Sequence, residues 1–400
     1  MRPTVPTIAK AAIGAAVASL AGLSPASAQD APCGGDFRSF VAELEREAVS
    51  RGHAPEVAAR FFSGVQRDQR TIDADRRQGV FQIPFIDFAR RLISAGRIEQ
   101  GRQMATRHDA IFDRIERDYG VSRGVLLAFW AFETDYGAVQ GDFNTVNSLV
   151  TLAHDCRRPE LFRPQVFAAI ELAQRGGLDP ARTQGAWAGE IGMVQMLPED
   201  ILRNGTDGDG DGRVELKTSV PDALVSGARM LSQMGWRPNE PWITEVAVPG
   251  DLDLSLSGLE TVMSGAEWAA RGIRARSGEI REDLPASLVL PQGAGGPAFL
   301  AYPNFNVYFE WNQSFVYVMT AAYFATRLEG APIFDAGSPA PGLGKDDMLR
   351  LQRELAGRGH DVGEIDGILG AGTRGAVRAE QERLGLPADG WPTAALLNRL

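Results

Sequence analysis

The chain has 400 residues, 51 acidic and 41 basic side chains, and a net charge of −10. This length allows two or more domains with real cores, and the acidic balance argues against nucleic acid or an anionic membrane as a partner. The four histidines have no ligand-like spacing, which argues against a zinc enzyme.

Residues 1–28 have the pattern of a secretory signal peptide. Arg2 and Lys10 flank the start of an apolar, small-residue stretch, and Ala-Ser-Ala at 26–28 has the A-x-A form of a cleavage site. Nothing later approaches the roughly 18 uninterrupted apolar residues of a membrane span. We predict an exported, soluble mature protein without a transmembrane segment, and loss of the two basic residues takes its charge from −10 to −12.

Cys33 and Cys156 are the only cysteines, and both follow the predicted cleavage site. In an oxidising compartment an isolated pair is most simply one disulfide. The prediction is a bridge between the mature N-terminus and the segment at 156. The alternative is two free, buried thiols.

Helical periodicity dominates the first 240 residues, where apolar side chains recur at spacings of three and four. The helical patterns lie within 36–120 and at 121–132, 145–153, 163–175, 198–204, 220–234 and 315–328. Short apolar runs at 246–249 and 288–291 indicate strands around a small helix at 265–271. We predict a mainly α fold with a small α/β insertion.

Glu133 ends the most apolar helical pattern of the chain, which runs from Val125 to Phe132. A carboxyl group placed against such a helix is desolvated, and desolvation raises its pKa. Such a group can hold a proton at neutral pH and act as a general acid. The alternative is a helix-terminal glutamate in solvent.

The segment 185–198 (GAWAGEIGMVQMLP) is rich in glycine and in adaptable apolar residues. Glycine lets a backbone approach a ligand closely, and the amide of Gln195 can bond an N-acetyl or hydroxyl group. A glycine-rich crossing of two helices is the alternative.

An acidic run at 207–212 (DGDGDG) matches the first half of an EF-hand-type calcium loop. Asp207, Asp209 and Asp211 would be ligands one, three and five, and Arg213 would offer its carbonyl at position seven. Thr218 stands at position twelve, where a bidentate glutamate should close the shell. A solvated acidic turn is the alternative to a structural calcium site.

Aromatic and amide side chains concentrate at 303–317 (PNFNVYFEWNQSFVY). Aromatic faces and amide groups together suit the binding of sugar rings. The same stretch could be the start of a core helix, with Asn312 or Ser314 as its cap.

The residues at 330–344 have the Gly- and Pro-rich composition of a linker. Three short helical patterns follow, at 347–355, 373–384 and 393–400, separated by turns rich in Gly and Asp. Residues 345–400 therefore form a predicted C-terminal domain of three helices.

Three of these stretches, in this order, resemble the membrane-bound lytic transglycosylase B family of peptidoglycan-cleaving enzymes. The motifs are Glu-Thr-x-Tyr-Gly at 133–137, Ala-Gly-x-x-Gly-x-x-Gln-x-x-Pro at 188–198, and Pro-Asn-Phe with Trp-Asn-x-Ser-x-x-Tyr at 303–317. The resemblance implies a lysozyme-like α domain within a catalytic region at 33–329, with Glu133 as the single acid and base. It places along the saccharide groove the residues Arg158, Gln195, Trp311, Asn312 and Tyr317.

The chain departs from the family pattern at several positions. Ala186 stands where a serine commonly supports the catalytic glutamate, and Phe88 replaces a tyrosine. Glu190 occupies a usually small, apolar position, and we expect it to point to solvent; the alternative is a second carboxylate in the groove.

The tail resembles a three-helix peptidoglycan-binding domain. The residues that carry this resemblance are Leu351, Gln352, Leu355, Gly359, the run 363–370 (GEIDGILG), Thr373, Ala376, Val377, Gln381, Gly385, Leu386, Asp389 and Gly390. Glu380 stands where an aromatic residue is usual, which puts glycan affinity in question but not the fold.

The resemblance implies a monomeric periplasmic enzyme that acts on peptidoglycan strands and requires no cofactor. It would cleave the β-1,4 bond between N-acetylmuramic acid and N-acetylglucosamine and form a 1,6-anhydro sugar. One alternative is a hydrolytic muramidase, which needs two carboxylates, and Asp142, Asp155 and Glu190 are candidates for the second. Another is a non-catalytic protein that binds the wall or serves as a scaffold.

Overall fold

The computed structural model describes residues 32–76 and 83–400, so the predicted signal peptide lies outside the described residues. In chain order the helices are α1 (Phe37–Ser50), α2 (Pro55–Phe62), α3 (Gln69–Arg76), α4 (Phe85–Leu92), α5 (Ala95–Arg107), α6 (Asp109–Tyr119), α7 (Arg123–Thr134), α8 (Thr145–His154), α9 (Pro159–Gln174), α10 (Pro198–Asn204), α11 (Val220–Gln233), α12 (Gly265–Ala270), α13 (Pro303–Trp311), α14 (Phe315–Leu328), α15 (Lys345–Gly357), α16 (Ala371–Arg383) and α17 (Ala394–Leu397). The strands are β1 (Phe143–Asn144), β2 (Gln184–Gly185), β3 (Ile243–Ala247), β4 (Met263–Ser264), β5 (Arg274–Ala275), β6 (Pro285–Val289) and β7 (Ala298–Ala301).

The described chain divides into two compact units. The first takes 32–76, 113–115 and 129–230, and the second takes 83–112, 116–128 and 231–400. Helices form most of the regular structure in both, which confirms the predicted mainly α class.

The core of the first unit forms where α1, α2, α8 and α9 bury their apolar faces against one another. Asn144 caps α8, since its Oδ1 accepts the N–H of Asn147 at 2.8 Å. Pro159 opens α9 at a position where a missing N–H costs nothing. Local sequence signals therefore set where the two central helices begin, and burial of their apolar faces stabilises them.

The predicted disulfide is confirmed within the first unit. Cys33 and Cys156 are bonded, with their Cα atoms 5.3 Å apart and 123 residues between them in the chain. The backbone N–H of Gly34 also bonds the carbonyl of His154 at 2.8 Å. The start of the described chain is therefore held against the end of α8.

The second unit contains a five-stranded antiparallel sheet in the order β4-β6-β7-β3-β5. Its two longest strands, β3 and β6, overlap the ranges predicted at 246–249 and 288–291. Each begins three residues earlier and ends two residues earlier than predicted. Pro249 and Pro291 explain the difference, because a proline has no N–H for a strand ladder and a strand ends before it.

The last 56 residues build a core of their own from α15, α16 and α17. The third predicted helix is shorter than expected and ends at Leu397. Glu380 is buried, and its carboxylate bonds Nε2 of His360 at 2.9 Å and Nε of Arg383 at 2.8 Å. A buried, hydrogen-bonded carboxylate thus occupies the position where an aromatic side chain was expected.

Across 32–76 and 83–400, no helix has both the length and the apolar character that crossing a membrane requires.

Candidate active site

Glu133 is the penultimate residue of α7, and only 5% of it is exposed. The seven residues from Val125 to Ala131 are at most 2% exposed. Surface glutamates are the rule, so an enclosed glutamate at the end of an apolar helix is informative. The structure supports the buried alternative and contradicts the solvent-exposed one.

A strained turn follows Glu133. Asp135 and Tyr136 both have positive φ, 51° and 58°, before Gly137 at 87°. A non-glycine residue in this region costs about 1–2 kcal/mol, so the surroundings must hold the turn in place. The turn thus begins at Asp135, directly after α7 ends at Thr134.

Thr134 provides that support. Its Oγ1 donates to the carbonyl of Met193 at 2.6 Å and accepts the N–H of Gly137 at 2.9 Å. The indole of Trp130 packs edge-on against the ring of Tyr136, with centroids 5.6 Å apart. These contacts tie the residue after Glu133 to the glycine-rich segment. Sequence reasoning missed Thr134 as a support, although the motif contained it.

The glycine-rich segment is a tight loop closed by the bridge between Ile191 and Met196, and no helix–helix crossing occurs there. A Cβ at Gly185 would lie 1.9 Å from the carbonyl oxygen of Glu190. A Cβ at Gly192, where φ is +86°, would lie 2.6 Å from the Cβ of Leu216. These glycines therefore permit close packing between parts of the protein. The sequence analysis had instead expected them to let the backbone approach a ligand.

Gln195 lies in this loop with φ +54° and is 4% exposed. Its Nε2 donates to the carbonyl of Gly192 at 2.7 Å and to that of Gln140 at 3.4 Å. The amide is thus held by its own loop and by the segment after the Glu133 turn.

The prediction that Glu190 points to solvent is wrong, because the residue is only 1% exposed. Its carbonyl accepts the N–H of Ala186 at 2.9 Å, which places it inside the packed loop. Ala186 supplies only a methyl group at the position of the expected serine.

Arg158 is mostly enclosed at the start of α9, with 14% of its side chain exposed. Its guanidinium pairs with Asp75, which is 1% exposed and also accepts Nη1 of Arg157 at 2.7 Å. Sequence reasoning missed Asp75, which lies 83 residues before Arg158. No local pattern marks such a long-range pair.

Trp311, Asn312 and Tyr317 lie in the second unit, where α13 ends and α14 begins. They are 7%, 2% and 1% exposed. Oδ1 of Asn312 accepts the N–H of Ser314 at 2.9 Å, while its Nδ2 is buried without a hydrogen-bond partner in the described residues. Ser314 caps α14. The stretch is therefore a junction between two helices, which agrees with the core-helix alternative. Within the described residues, the NH₂ group of Asn312 lacks a hydrogen-bond partner there.

The predicted site residues thus fall into two groups. Glu133, Arg158 and Gln195 belong to the first unit, and Trp311, Asn312 and Tyr317 belong to the second.

The acidic run forms a compact loop. Asp207, Asp209 and Asp211 each place a carboxylate oxygen within 4.8 Å of the others. Asp207 accepts the N–H groups of Gly210 at 2.6 Å and Gly212 at 2.8 Å. These backbone donors, Gly212 first, lower the pKa of Asp207. The loop therefore favours the ionised form of Asp207, and a divalent cation requires ionised carboxylate ligands.

Asp222 anchors this loop, and sequence reasoning did not single it out. It is 1% exposed, and its two oxygens accept the N–H groups of Gly208 at 2.8 Å and Glu215 at 2.7 Å. Thr218 at position twelve carries no carboxylate, as the sequence indicated, and its N–H bonds the carbonyl of Glu215 at 3.2 Å.

Comparison with known proteins identifies the family. The profile of the transglycosylase SLT domain matches residues 36–326, and that of a peptidoglycan binding domain matches residues 344–400. The crystal structure of SltB3 from Pseudomonas aeruginosa, in complex with NAG-NAM-pentapeptide, is 35% identical with a TM-score of 0.84. That alignment covers 92% of this chain and all of SltB3.

Two further relatives are more distant. The membrane-bound lytic murein transglycosylase B of Escherichia coli is 25% identical over 236 residues, which span 59% of this chain and 64% of the relative. The lytic transglycosylase Slt35 of Escherichia coli, solved in complex with calcium, is 22% identical with a TM-score of 0.63, over 77% of this chain and 98% of Slt35. At 22% identity, the similarity to Slt35 supports the fold alone.

These findings confirm the resemblance carried by the three motifs, and the solved neighbours confirm the lysozyme-like class. The chain belongs to the transglycosylase SLT family of lytic transglycosylases and carries a C-terminal peptidoglycan-binding domain.

Proposed function

We propose that this protein is an exported lytic transglycosylase that cleaves the β-1,4 bond between N-acetylmuramic acid and N-acetylglucosamine in peptidoglycan. The observation that carries the proposal is the burial of Glu133 at the end of α7, at the position of the family's Glu-Thr-x-Tyr-Gly motif. A buried carboxyl group is harder to ionise, and a protonated one can act as a general acid.

Glu133 serves first as acid and then as base in the proposed reaction. Its proton passes to the bridging oxygen as the bond from that oxygen to the anomeric carbon breaks. The acetamido oxygen of the substrate meets the positive charge that develops at this carbon. The carboxylate of Glu133 then takes the proton of the C6 hydroxyl, whose oxygen closes onto the anomeric carbon. The product is a 1,6-anhydro sugar, and no water is consumed.

The other site residues bind the glycan in this proposal. Arg158, held by Asp75, and Gln195, held by its loop, present polar groups from the first unit. From the second unit, Trp311 offers an aromatic face, Tyr317 a phenol and Asn312 an amide. The unpartnered Nδ2 of Asn312 supports this role, since a buried amide hydrogen that meets no acceptor is costly unless a ligand supplies one.

The acidic loop is proposed as a structural calcium site. Asp207, Asp209 and Asp211 supply carboxylates, and Arg213 would supply its backbone carbonyl. The convergence of the three carboxylates within 4.8 Å supports the proposal. Without a carboxylate at Thr218, the shell needs water or another oxygen, so we expect weaker binding than in a complete loop. The chemistry above requires no metal.

We further propose that 1–28 is a signal peptide, 33–329 the catalytic region, 330–344 a linker and 345–400 the glycan-binding domain. A periplasmic monomer fits these assignments. The disulfide between Cys33 and Cys156 suits an oxidising compartment.

The test is to incubate the full mature chain with purified sacculi and to analyse the soluble products by mass spectrometry. We expect saccharides that end in 1,6-anhydro-muramic acid, each lighter by one water than its hydrolytic counterpart. Glu133→Gln should release no product. The control Asp142→Asn, which alters an exposed carboxylate paired with Arg70, should retain activity.

Free reducing ends in place of the anhydro form would contradict the proposal and favour hydrolysis. Comparison of Asp142→Asn, Asp155→Asn and Glu190→Gln would then show which second carboxylate takes part. Sedimentation of the protein with sacculi, without soluble products, would favour a wall-binding or scaffold protein.

A further inference from the structure

The C-terminal domain packs against the sheet region of the second unit. Arg374 donates from Nη2 to the carbonyl of Pro291 at 2.8 Å, and Asp389 accepts the N–H of Ala294 at 2.8 Å. Both partners are backbone groups of the loop between β6 and β7. Arg374 of α16 and Asp389, between α16 and α17, therefore both bond to the same loop of the sheet.

The interface is closely packed around Arg378 and Trp391. A Cβ at Gly293 would lie 2.4 Å from the Cβ of Trp391, and one at Gly258 would lie 2.3 Å from Nη2 of Arg378. Beside Arg374 and Phe315 a cavity of about 40 Å³ remains, which is room for one or two water molecules. A saccharide does not fit there, so the contact acts between parts of the protein.

Arg374 lies at the centre of this contact. Its Cζ stands 4.4 Å above the ring of Phe315 and 5.8 Å from that of Trp391. Burial, and secondly the charge of Arg378, lower the pKa of Arg374 to about 9, so the guanidinium stays charged at neutral pH. A desolvated cation over an aromatic face is a stronger contact than an exposed one.

Phe315 connects this contact to the proposed glycan-binding segment. It is the first residue of α14, directly after the cap Ser314 and two positions before Tyr317. Ser314 in turn bonds Oδ1 of Asn312 through its N–H at 2.9 Å. The ring on which Arg374 rests therefore lies in the middle of the stretch 311–317.

We propose that Arg374 is a positioning residue: through Phe315 it holds the stretch 311–317 in the conformation that receives glycan. The C-terminal domain thus acts on substrate binding by the catalytic region and is more than an anchor to the wall. This inference rests on the proposed function, because it takes Trp311, Asn312 and Tyr317 as glycan contacts.

The test compares the full-length wild type with Arg374→Ala on a soluble peptidoglycan tetrasaccharide. We expect KM to rise about fivefold with kcat within about twofold, because the binding segment is loosened while Glu133 is untouched. Hydrogen–deuterium exchange should accelerate at 312–318. Phe315→Leu removes the other partner and should act alike, and the double variant should be no worse than either single variant. Arg353→Ala, an exposed arginine of α15, is the control and should change nothing.

Two results would overturn the inference. One is exchange at 312–318 and KM at wild-type values in both Arg374→Ala and Phe315→Leu. The other is a defect in sedimentation with sacculi alone, which would make the domain a tether. Phe315→Leu keeps the inference testable if Arg374→Ala fails to fold, as judged by far-UV circular dichroism. A wild type that makes no anhydro product would contradict the proposed function instead, and the exchange measurement would still decide the coupling.

Discussion

The turn after Glu133 and the loop at 207–212 lie in the same unit, yet they hold carboxylates in opposite surroundings. Glu133 is 5% exposed at the end of an apolar helix. Asp207 is half-buried and accepts three backbone N–H groups of its own loop. Burial disfavours the anion of a carboxyl group, while N–H donors favour it.

In the proposed roles, this difference separates a proton donor, Glu133, from a cation ligand, Asp207. The support of the two sites differs in the same way. Thr134 links the Glu133 turn to a loop about 60 residues away, whereas hydrogen bonds between near neighbours hold Asp207. We therefore expect the first site to fail through loss of tertiary packing and the second through loss of charge.

The largest expected effect is that of Thr134→Val. The change leaves the carbonyl of Met193 and the N–H of Gly137 without their partner, so we expect a loss of about 2–3 kcal/mol in the free energy of unfolding. Urea denaturation measures it. Thr320→Val is the matched control, because Thr320 is as deeply buried but donates only within its own helix, to Val316. Equal losses in both variants would contradict the assigned role of Thr134.

Next comes Asp222→Asn. An amide can accept through one oxygen only, so either Gly208 or Glu215 loses its hydrogen bond and faces an NH₂ group. We expect a loss of about 1–2 kcal/mol, together with weaker calcium binding in calorimetry. If unfolding changes but calcium affinity does not, Asp222 supports the fold without ordering the loop.

Calcium itself should have a smaller effect. At millimolar calcium, we expect the Tm of the wild type to rise by about 2–4 °C over the value in chelator, since a ligand bound only to the folded state stabilises it. Asp207→Asn should abolish the shift, and Asp251→Asn, outside the loop, should keep it. An unchanged wild-type Tm in calcium would leave the loop as a solvated acidic turn.

The smallest effect is the pH dependence of Asp207 in chelator. Its pKa is lowered in the folded state by the N–H of Gly212 and its neighbours, so its contribution to stability is present above the unfolded value of 3.8 and is lost as the pH falls through the folded value. Asp207→Asn should therefore be less stable than wild type at pH 6, and the difference should close towards pH 2. Thermal unfolding across this range measures it. A difference in stability that stays constant across this pH range would mean that the hydrogen bonds of the loop do not favour the ionised form of Asp207.

Much of the site was predictable because its signals are local. The apolar run before Glu133, the DGDGDG spacing and the cap at Ser314 each depend on residues within a few positions. The burial of Glu190 was not predictable, because a glutamate in a glycine-rich loop reads as polar and exposed. The contacts that enclose it, the N–H of Ala186 at its carbonyl and the close approach of Gly185, exist only once the loop is folded.

The sequence by itself determined the helical class, the starts of α8, α10, α11 and α14, the disulfide partners and the three motifs, because periodicity, capping and a lone cysteine pair are properties of the chain. Only the tertiary structure decided that Asp75 holds Arg158, that Thr134 secures the Glu133 turn and that Arg374 rests on Phe315. Each of these contacts joins residues about 60 to 80 positions apart, and which partners meet at such a distance follows from how the helices and the sheet pack.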